Sequence, residues 1–152
     1  INHAEACAEL GLDAEAIASL NQLRARAGMP NYTPLNDPAN TIGVSDLIWE
    51  IRRERRVELM YDKNDRYWSL IRWHELGRLD TNEYPDQVRG AWIAQDWPLD
   101  SHVVRDAEGY IRLDVNAYGE EVKRIYDKKH YLAPSPLGQS ALNEQIGQNP
   151  GW

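Results

Sequence analysis

The sequence predicts a mostly α-helical fold with a loop-rich second half and an extended C-terminal tail. Three observations lead there. Apolar residues recur at the 3.6-residue helical spacing through the first half of the chain. That period is lost after Asp80, where Pro85, Gly90, Pro98, Gly109 and Gly119 interrupt the pattern. Residues 131–152 then place Pro134, Pro136 and Pro150 among spaced apolar groups. Proline fixes φ and withholds a donor, so this ending reads as neither a regular helix nor a central strand.

Residues 1–30 read as a pair of helices. The first runs over 2–10 and is closed by Gly11. Asp13 is placed to cap the second, over 14–27, whose apolar stripe is Ala16, Leu20, Leu23 and Ala27. Gly28 stands where a C′ glycine ends a helix, and Pro30 prevents continuation. Ala4 and Ala8 carry little bulk, so the two helices can approach closely. One such pair cannot bury its own face, and no second copy follows at a period of about 34 residues.

Residues 31–43 hold Pro34, Pro38 and several Asn and Asp, and form a loop. Residues 45–79 form a helical core. Ser45 or Asp46 caps a third helix through residue 61, with Val44, Ile48, Ile51, Arg55 and Leu59 as its stripe. Arg55 therefore sits in the middle of an apolar face. A buried charge must be paired, because an unpaired one costs several kcal/mol. Glu58, at i+3, is the nearest local carboxylate, and Glu54 is another. Such a cluster can be a ligand site for an anion or for sugar hydroxyls, or a structural ion network. The apolar neighbours around Arg55 favour the network. A polar break at 62–65 precedes a fourth helix over 66–76, ended by Gly77. Tyr67, Leu70, Ile71 and Trp73 give that helix apolar contacts on more than one side, which predicts deep burial.

Residues 80–130 are irregular. His102–Val104 and Tyr110–Leu113, joined through Asp106–Gly109, are placed to pair as a hairpin, and a short fifth helix is expected over 119–126. Loop regions of this length are often functional, and this one holds Tyr84, Trp92 and Trp97. In the tail, residues 131–152, Tyr131, Leu132 and Trp152 are expected to anchor a strap on a surface already folded.

Composition narrows the function. The chain has 152 residues, 42% hydrophobic and 27% charged, which fits a globular protein rather than a disordered one. A net charge of −7 disfavours nucleic-acid phosphates and anionic headgroups as principal partners. Cys7 is the single cysteine, so no disulfide forms within the chain, and its place between Ala6 and Ala8 reads as an inert core thiol. His3, His74, His102 and His130 are scattered without zinc-ligand spacing, so neither metal nor cofactor is expected. No calcium loop, phosphate loop or nucleophile elbow occurs. Carboxylates abound, but abundance does not make a cleft with two different pKa environments, so no catalytic residue is assigned and an enzyme is not expected.

Six Trp and eight Tyr beside no Phe suit surfaces that are partly wet, including sugar platforms and protein interfaces. A sugar-binding surface needs a flat aromatic face and nearby polar groups. Trp92 and Trp97, with Arg89, Gln95 and Asp96, can supply both. For either indole, capping the core is the competing reading.

Three segments also carry a resemblance. The first is Ala4-Glu5-Ala6-Cys7-Ala8-Glu9-Leu10-Gly11 with Leu20-Asn21-Gln22-Leu23-Arg24-Ala25-Arg26-Ala27-Gly28. The second is Ile51-Arg52-Arg53-Glu54-Arg55-Arg56-Val57-Glu58-Leu59 with Asp65-Arg66-Tyr67-Trp68-Ser69-Leu70-Ile71-Arg72-Trp73. The third is the ending, Tyr131-Leu132-Ala133-Pro134-Ser135-Pro136 through Gln148-Asn149-Pro150-Gly151-Trp152. In this order they resemble the last tetratricopeptide-like helix pair, the Arg/Glu and Arg-Trp block and the closing signature of the SusD/RagB family. The chain departs from the family at Ser69, where Asp is usual, and at Asp65, where His is usual.

The resemblance implies a SusD-like fold in which residues 1–152 are the C-terminal portion of a SusD/RagB-like domain. It implies an outer-membrane lipoprotein facing the cell exterior, lipid-anchored through an N-terminal part outside this chain. The start at Ile1, without Met, reads as a cut end. The implied activity is non-catalytic capture of an oligo- or polysaccharide with a SusC-like TonB-dependent transporter, this chain being mainly scaffold. The alternative is a helical protein-interaction module that contacts the transporter and binds no ligand itself. Structural roles are expected for Arg55, Glu58, Arg66, Trp73, Tyr131, Pro134, Pro136 and Trp152, and ligand contact for Trp92 and Trp97.

Overall fold

A computed structural model describes residues 1–62, 65–116, 118–143 and 145–152. Residues 63 and 64, in the expected polar break, and residue 144, in the tail, lie outside the described residues. The chain is mainly helical and divides into two compact units, Ile1–Arg66 and Tyr67–Trp152. Among the described residues no helix is long and apolar enough to cross a membrane.

The first unit holds α1 (Asn2–Glu9), α2 (Asp13–Arg26), α3 (Asp46–Glu58) and the first residues of α4 (Asp65–Arg72). The same device ends α1 and α2. Gly11 and Gly28 take φ of +73° and +70°. Leu12 N–H then bonds back to the Cys7 carbonyl at 2.8 Å, and Met29 N–H to that of Arg24 at 2.9 Å. These reversed bonds satisfy carbonyls that a helix end leaves open. Ser45 caps α3, its Oγ accepting the Ile48 N–H at 3.2 Å. Asp13 is not the cap of α2. Leu12 holds that position without a side-chain bond, and Asp13 lies in the first turn, where its charge favours the helix dipole.

The core of this unit is Ala4, Cys7 and Ala8 of α1, Ala16 and Leu20 of α2, Tyr32, and Leu47 and Ile51 of α3. Leu20 and Ile51 are fully buried, each contributing about 1.5–3 kcal/mol. The small faces of Ala4 and Ala16 let the helices close on them. The stripe of α2 does not continue to Ala27, which is exposed; it turns to Arg24, which is buried. Arg24 donates to Glu50 at 2.6 Å, to Glu54 at 2.5 Å and to the Pro30 carbonyl at 2.7 Å.

Arg55 is likewise buried. Its guanidinium pairs with Asp65 and with Glu5, 3.5 Å away, and donates to Asn2. The local partners named from sequence are engaged elsewhere: Glu58 pairs with Arg26, and Glu54 with Arg24. A carboxylate on the same helix reaches along its own surface, whereas Asp65 and Glu5 approach Arg55 from other elements. Asp65, one of the departures from the family pattern, thus supplies a charge partner.

The second unit contains the rest of α4, 3₁₀ turns at Leu76–Leu79, Pro85–Val88 and Lys128–Tyr131, strands β1 (Arg89–Trp92) and β2 (Tyr110–Arg112), and α5 (Leu137–Leu142). α4 stops short of residue 76. His74 takes φ +56°, and Glu75 N–H bonds back to the Leu70 carbonyl at 2.8 Å, closing the helix as the glycines close α1 and α2. α4 is not buried all round. Leu70 and Ser69 are inside, while Tyr67 and Trp68 stand 40% and 60% exposed.

β1 and β2 are antiparallel, with Arg89 opposite Arg112 and Trp92 opposite Tyr110. The expected turn at Asp106–Gly109 forms, but His102–Val104 is not a strand. Beyond that turn the pairing is a single bridge, Arg105 to Ile111, and the ladder proper is made with β1. No helix forms over 119–126. Asn116 Oδ1 accepts the N–H groups of Tyr118 and Glu120, and Val122 N–H bonds to Asp114, so the chain doubles back. Extended chain then runs beside Thr81, which exchanges bonds with Arg124. These partners satisfy the backbone that a helix would otherwise use. The tail does contain a helix, α5. Pro136 sits at its N-cap and no proline falls within it, so the ring never removes an internal bond.

Candidate functional site

Trp92 ends β1 on the turn that joins Arg105 to β2. The backbone holds it from both sides, since Ile93 N–H bonds to the Gly109 carbonyl at 2.8 Å and the indole Nε1–H donates to the Glu108 carbonyl at 3.0 Å. Gly109 makes this fit possible. Its φ is +103°, and a Cβ there would fall 2.6 Å from the indole nitrogen. The turn is fixed by Asp106, whose Oδ1 accepts the N–H groups of Glu108 and Tyr110, each at 2.9 Å. The Tyr110 N–H holds the Asp106 carboxyl below the usual carboxylate range against partial desolvation, with Glu108 N–H and Arg89 adding to the effect.

Charged groups converge on the same turn. Arg89 reaches Asp106 at 3.2 Å, Glu108 at 3.0 Å and Asp86 at 3.2 Å, with its guanidinium 5.1 Å from the centre of the Tyr110 ring. Arg105 donates to the carbonyls of Ala94 and Gln95, and the Gln95 amide returns to Asp106 and Ala107. The segment from Trp92 to Trp97 is therefore tied to the turn. Both indoles remain open, Trp92 being 59% and Trp97 64% exposed. A held, exposed indole can stack on a sugar ring, and the carboxylates and guanidinium on the same turn can hydrogen-bond hydroxyls.

The same unit holds a groove of about 470 Å³ walled by Tyr67, Trp68, Tyr126, Tyr131, Pro134 and Trp152, among others. Tyr67 and Trp68 meet edge to face at 5.5 Å, and Tyr126 and Tyr131 at 6.0 Å. Burial first, then the neighbouring Tyr131 hydroxyl, raises the pKa of Tyr126. The signal for this groove was present in sequence. Adjacent helical residues point about 100° apart, so Tyr67 and Trp68 cannot share one buried stripe.

The tail borders this groove. Tyr131 accepts the Leu76 N–H, and the Trp152 indole donates to the carbonyls of Leu132 at 2.9 Å and Lys129 at 3.2 Å. Ser135 and Gln148 exchange bonds, and the Asn149 amide donates to Ala133. The tail thus closes on its own beginning. Trp152 and Leu132 stay about half exposed, so hydrogen bonds and ring contacts hold it rather than full burial. Pro134 is exposed beside the groove. Of the remaining structural candidates, Arg66 and Trp73 are half-buried, with the Arg72 guanidinium 5.6 Å from the Trp73 ring centre.

The model of the SusD family matches residues 1–152. A solved structure titled "selenomethionine BT4246" is 26% identical with a TM-score of 0.59, and one titled "BT4246" is 25% identical with a TM-score of 0.55. Each alignment covers 98% of this chain and 22% of the other, so the chain spans about a fifth of the length of these structures. No match was found among curated proteins.

Proposed function

The chain belongs to the SusD family over residues 1–152, and from that premise we propose that it serves non-catalytic nutrient capture, the nutrient being a glycan. In this reading the parent protein sits on the outer membrane as a lipoprotein and delivers ligand to a TonB-dependent, SusC-like transporter. This chain supplies mainly scaffold: a tetratricopeptide-like helix pair, an ion network beneath α3 and a self-closed tail. Its direct contact with the glycan is the Trp92 platform, with Trp97 beside it.

The observation that carries the site assignment is the held but open indole of Trp92, on a turn that also carries the ion pairs of Arg89 with Glu108 and Asp106. A core-capping Trp would bury its ring, and this one exposes most of it. The second reading, protein contact with the transporter and no ligand contact, has the aromatic groove in its favour, because its walls are chiefly apolar. Native gels cast with soluble polysaccharides separate the two. Retardation of the chain that is lost in Trp92→Ala supports glycan contact. Unretarded migration through a broad glycan panel supports the protein-contact reading.

A further inference from the structure

His3, Cys7 and Glu15 come together between α1 and α2, far in function from anything assigned above. Their nearest ligand atoms all lie within 4.8 Å of one another. His3 and Cys7 are four residues apart, so the helix sets them on one face, and Glu15 approaches from α2. The Cys7 sulfur is 3.7 Å from His3 Nε2 and 3.9 Å from Glu15 Oε2. Ligand atoms around a tetrahedral zinc ion lie roughly 3.4–3.6 Å apart, as follows from bonds of about 2.0–2.3 Å. The cluster is therefore within a few tenths of an ångström of that spacing on both sulfur edges. His3 and Glu15 are exposed and can close the remainder.

A second observation concerns orientation. His3 Nδ1 lies 2.8 Å from Ser19 Oγ. With Nδ1–H donating to that hydroxyl, Nε2 is left as the nitrogen with a lone pair; the sulfur lies 3.7 Å from Nε2 and 3.8 Å from Nδ1, so the exposed ring turns to aim that lone pair at a cation shared with the thiol. A metal-bound histidine ordinarily has such a partner on its other nitrogen, which fixes tautomer and ring. The third ligand and the ring partner come from the next helix, so no spacing within one segment of sequence marks the cluster.

We propose that His3 Nε2, Cys7 Sγ and Glu15 form a three-ligand site for a zinc-class divalent cation, with Ser19 setting the histidine tautomer and the fourth position open. Thiolate, imidazole and carboxylate together suit zinc rather than calcium or magnesium, which take oxygen ligands. Binding releases the thiol proton and joins α1 to α2, so the cation staples the helix pair.

Cobalt(II) titration of the 152-residue chain tests this. One equivalent should give thiolate-to-cobalt charge transfer in the near ultraviolet and visible bands of tetrahedral strength, and one equivalent of zinc should abolish both. Cys7→Ser should lose the charge-transfer band. His3→Gln and Glu15→Gln, at exposed positions that leave the core intact, should each weaken affinity at least about tenfold, and Ser19→Ala about tenfold. Zinc should raise the melting temperature of the wild type and not of Cys7→Ser. Absence of the charge-transfer band in the wild type, its persistence in Cys7→Ser, or wild-type affinity in both His3→Gln and Glu15→Gln would overturn the proposal.

Discussion

The hydroxyl of Tyr131 accepts the backbone N–H of Leu76 at 3.1 Å, joining residues 55 apart in sequence. Leu76 is buried, so its N–H has little access to water. This bond fixes the root of the tail just beyond the end of α4, and the ring contacts of Tyr131 with His74 and Tyr126 brace it.

Tyr131→Phe keeps the ring and removes the acceptor. The stranded N–H should lower stability by about 1–3 kcal/mol. Thermal unfolding of the variant measures it. Truncation before Tyr131 should cost more, because it also removes the Trp152 and Gln148 contacts. A shortened chain that melts as the intact one does would refute the tail's structural role.

Arg55→Ala takes the guanidinium away from Glu5 and Asp65, and Arg24→Ala takes it from Glu54 and leaves Glu50 to Arg53. Each should lower stability by about 3–5 kcal/mol, the cost of removing one member of a buried ion pair. Arg26→Ala is the control. The Arg26 side chain is 68% exposed, and its pair with Glu58 should matter by no more than about 1 kcal/mol. Denaturant midpoints should drop for Arg55→Ala and Arg24→Ala and barely move for Arg26→Ala.

The helix pair and the burial of Arg55 were legible in the sequence because both follow from a 3.6-residue stripe. The partners of Arg55 were not, because Asp65 and Glu5 lie 10 and 50 residues away and periodicity says nothing about which element faces which. The turn at Asp106–Gly109 was readable from its Asp and Gly. Its true strand partner, Arg89–Trp92, is four residues long with no turn signal linking it to β2. Prolines around residues 134–136 masked α5, since they lie before the helix rather than in it. Exposure of Trp92 and Trp97 could not be read from composition. It depends on Gly109 and Arg105, which hold the chain from the other side.

Acid should weaken the fold through Glu50. Burial raises its pKa, but hydrogen bonds and charge from Arg53 and Arg24 outweigh that, and the net shift is downward. A carboxylate that titrates lower when folded binds fewer protons in the folded state. Its stabilisation is complete above the unfolded value, about 4.3, and is lost as pH falls through the lower folded value. Denaturant midpoints measured downward from pH 7 should hold until about pH 4.3 and then decline. Glu50→Gln should show a shallower decline.

Gly109→Ala should damage the Trp92 platform directly. The substitution forces a left-handed φ on a residue with a Cβ and drives that carbon into the indole, at a cost of about 1–3 kcal/mol. In proton–nitrogen spectra the Trp92 indole N–H resonance should move as its bond to Glu108 is lost. The Trp152 indole resonance, bonded in the tail, should stay in place. An unmoved Trp92 signal would mean the turn does not hold the ring.

The most direct test of glycan contact by this chain is retardation in native gels containing soluble polysaccharides, comparing wild type, Trp92→Ala, Trp97→Ala and the double variant. The account predicts that at least one glycan retards the wild type, that Trp92→Ala abolishes most of the shift, and that the double variant migrates as in a blank gel. Equal retardation of wild type and double variant, or no retardation by any glycan tested, would contradict it.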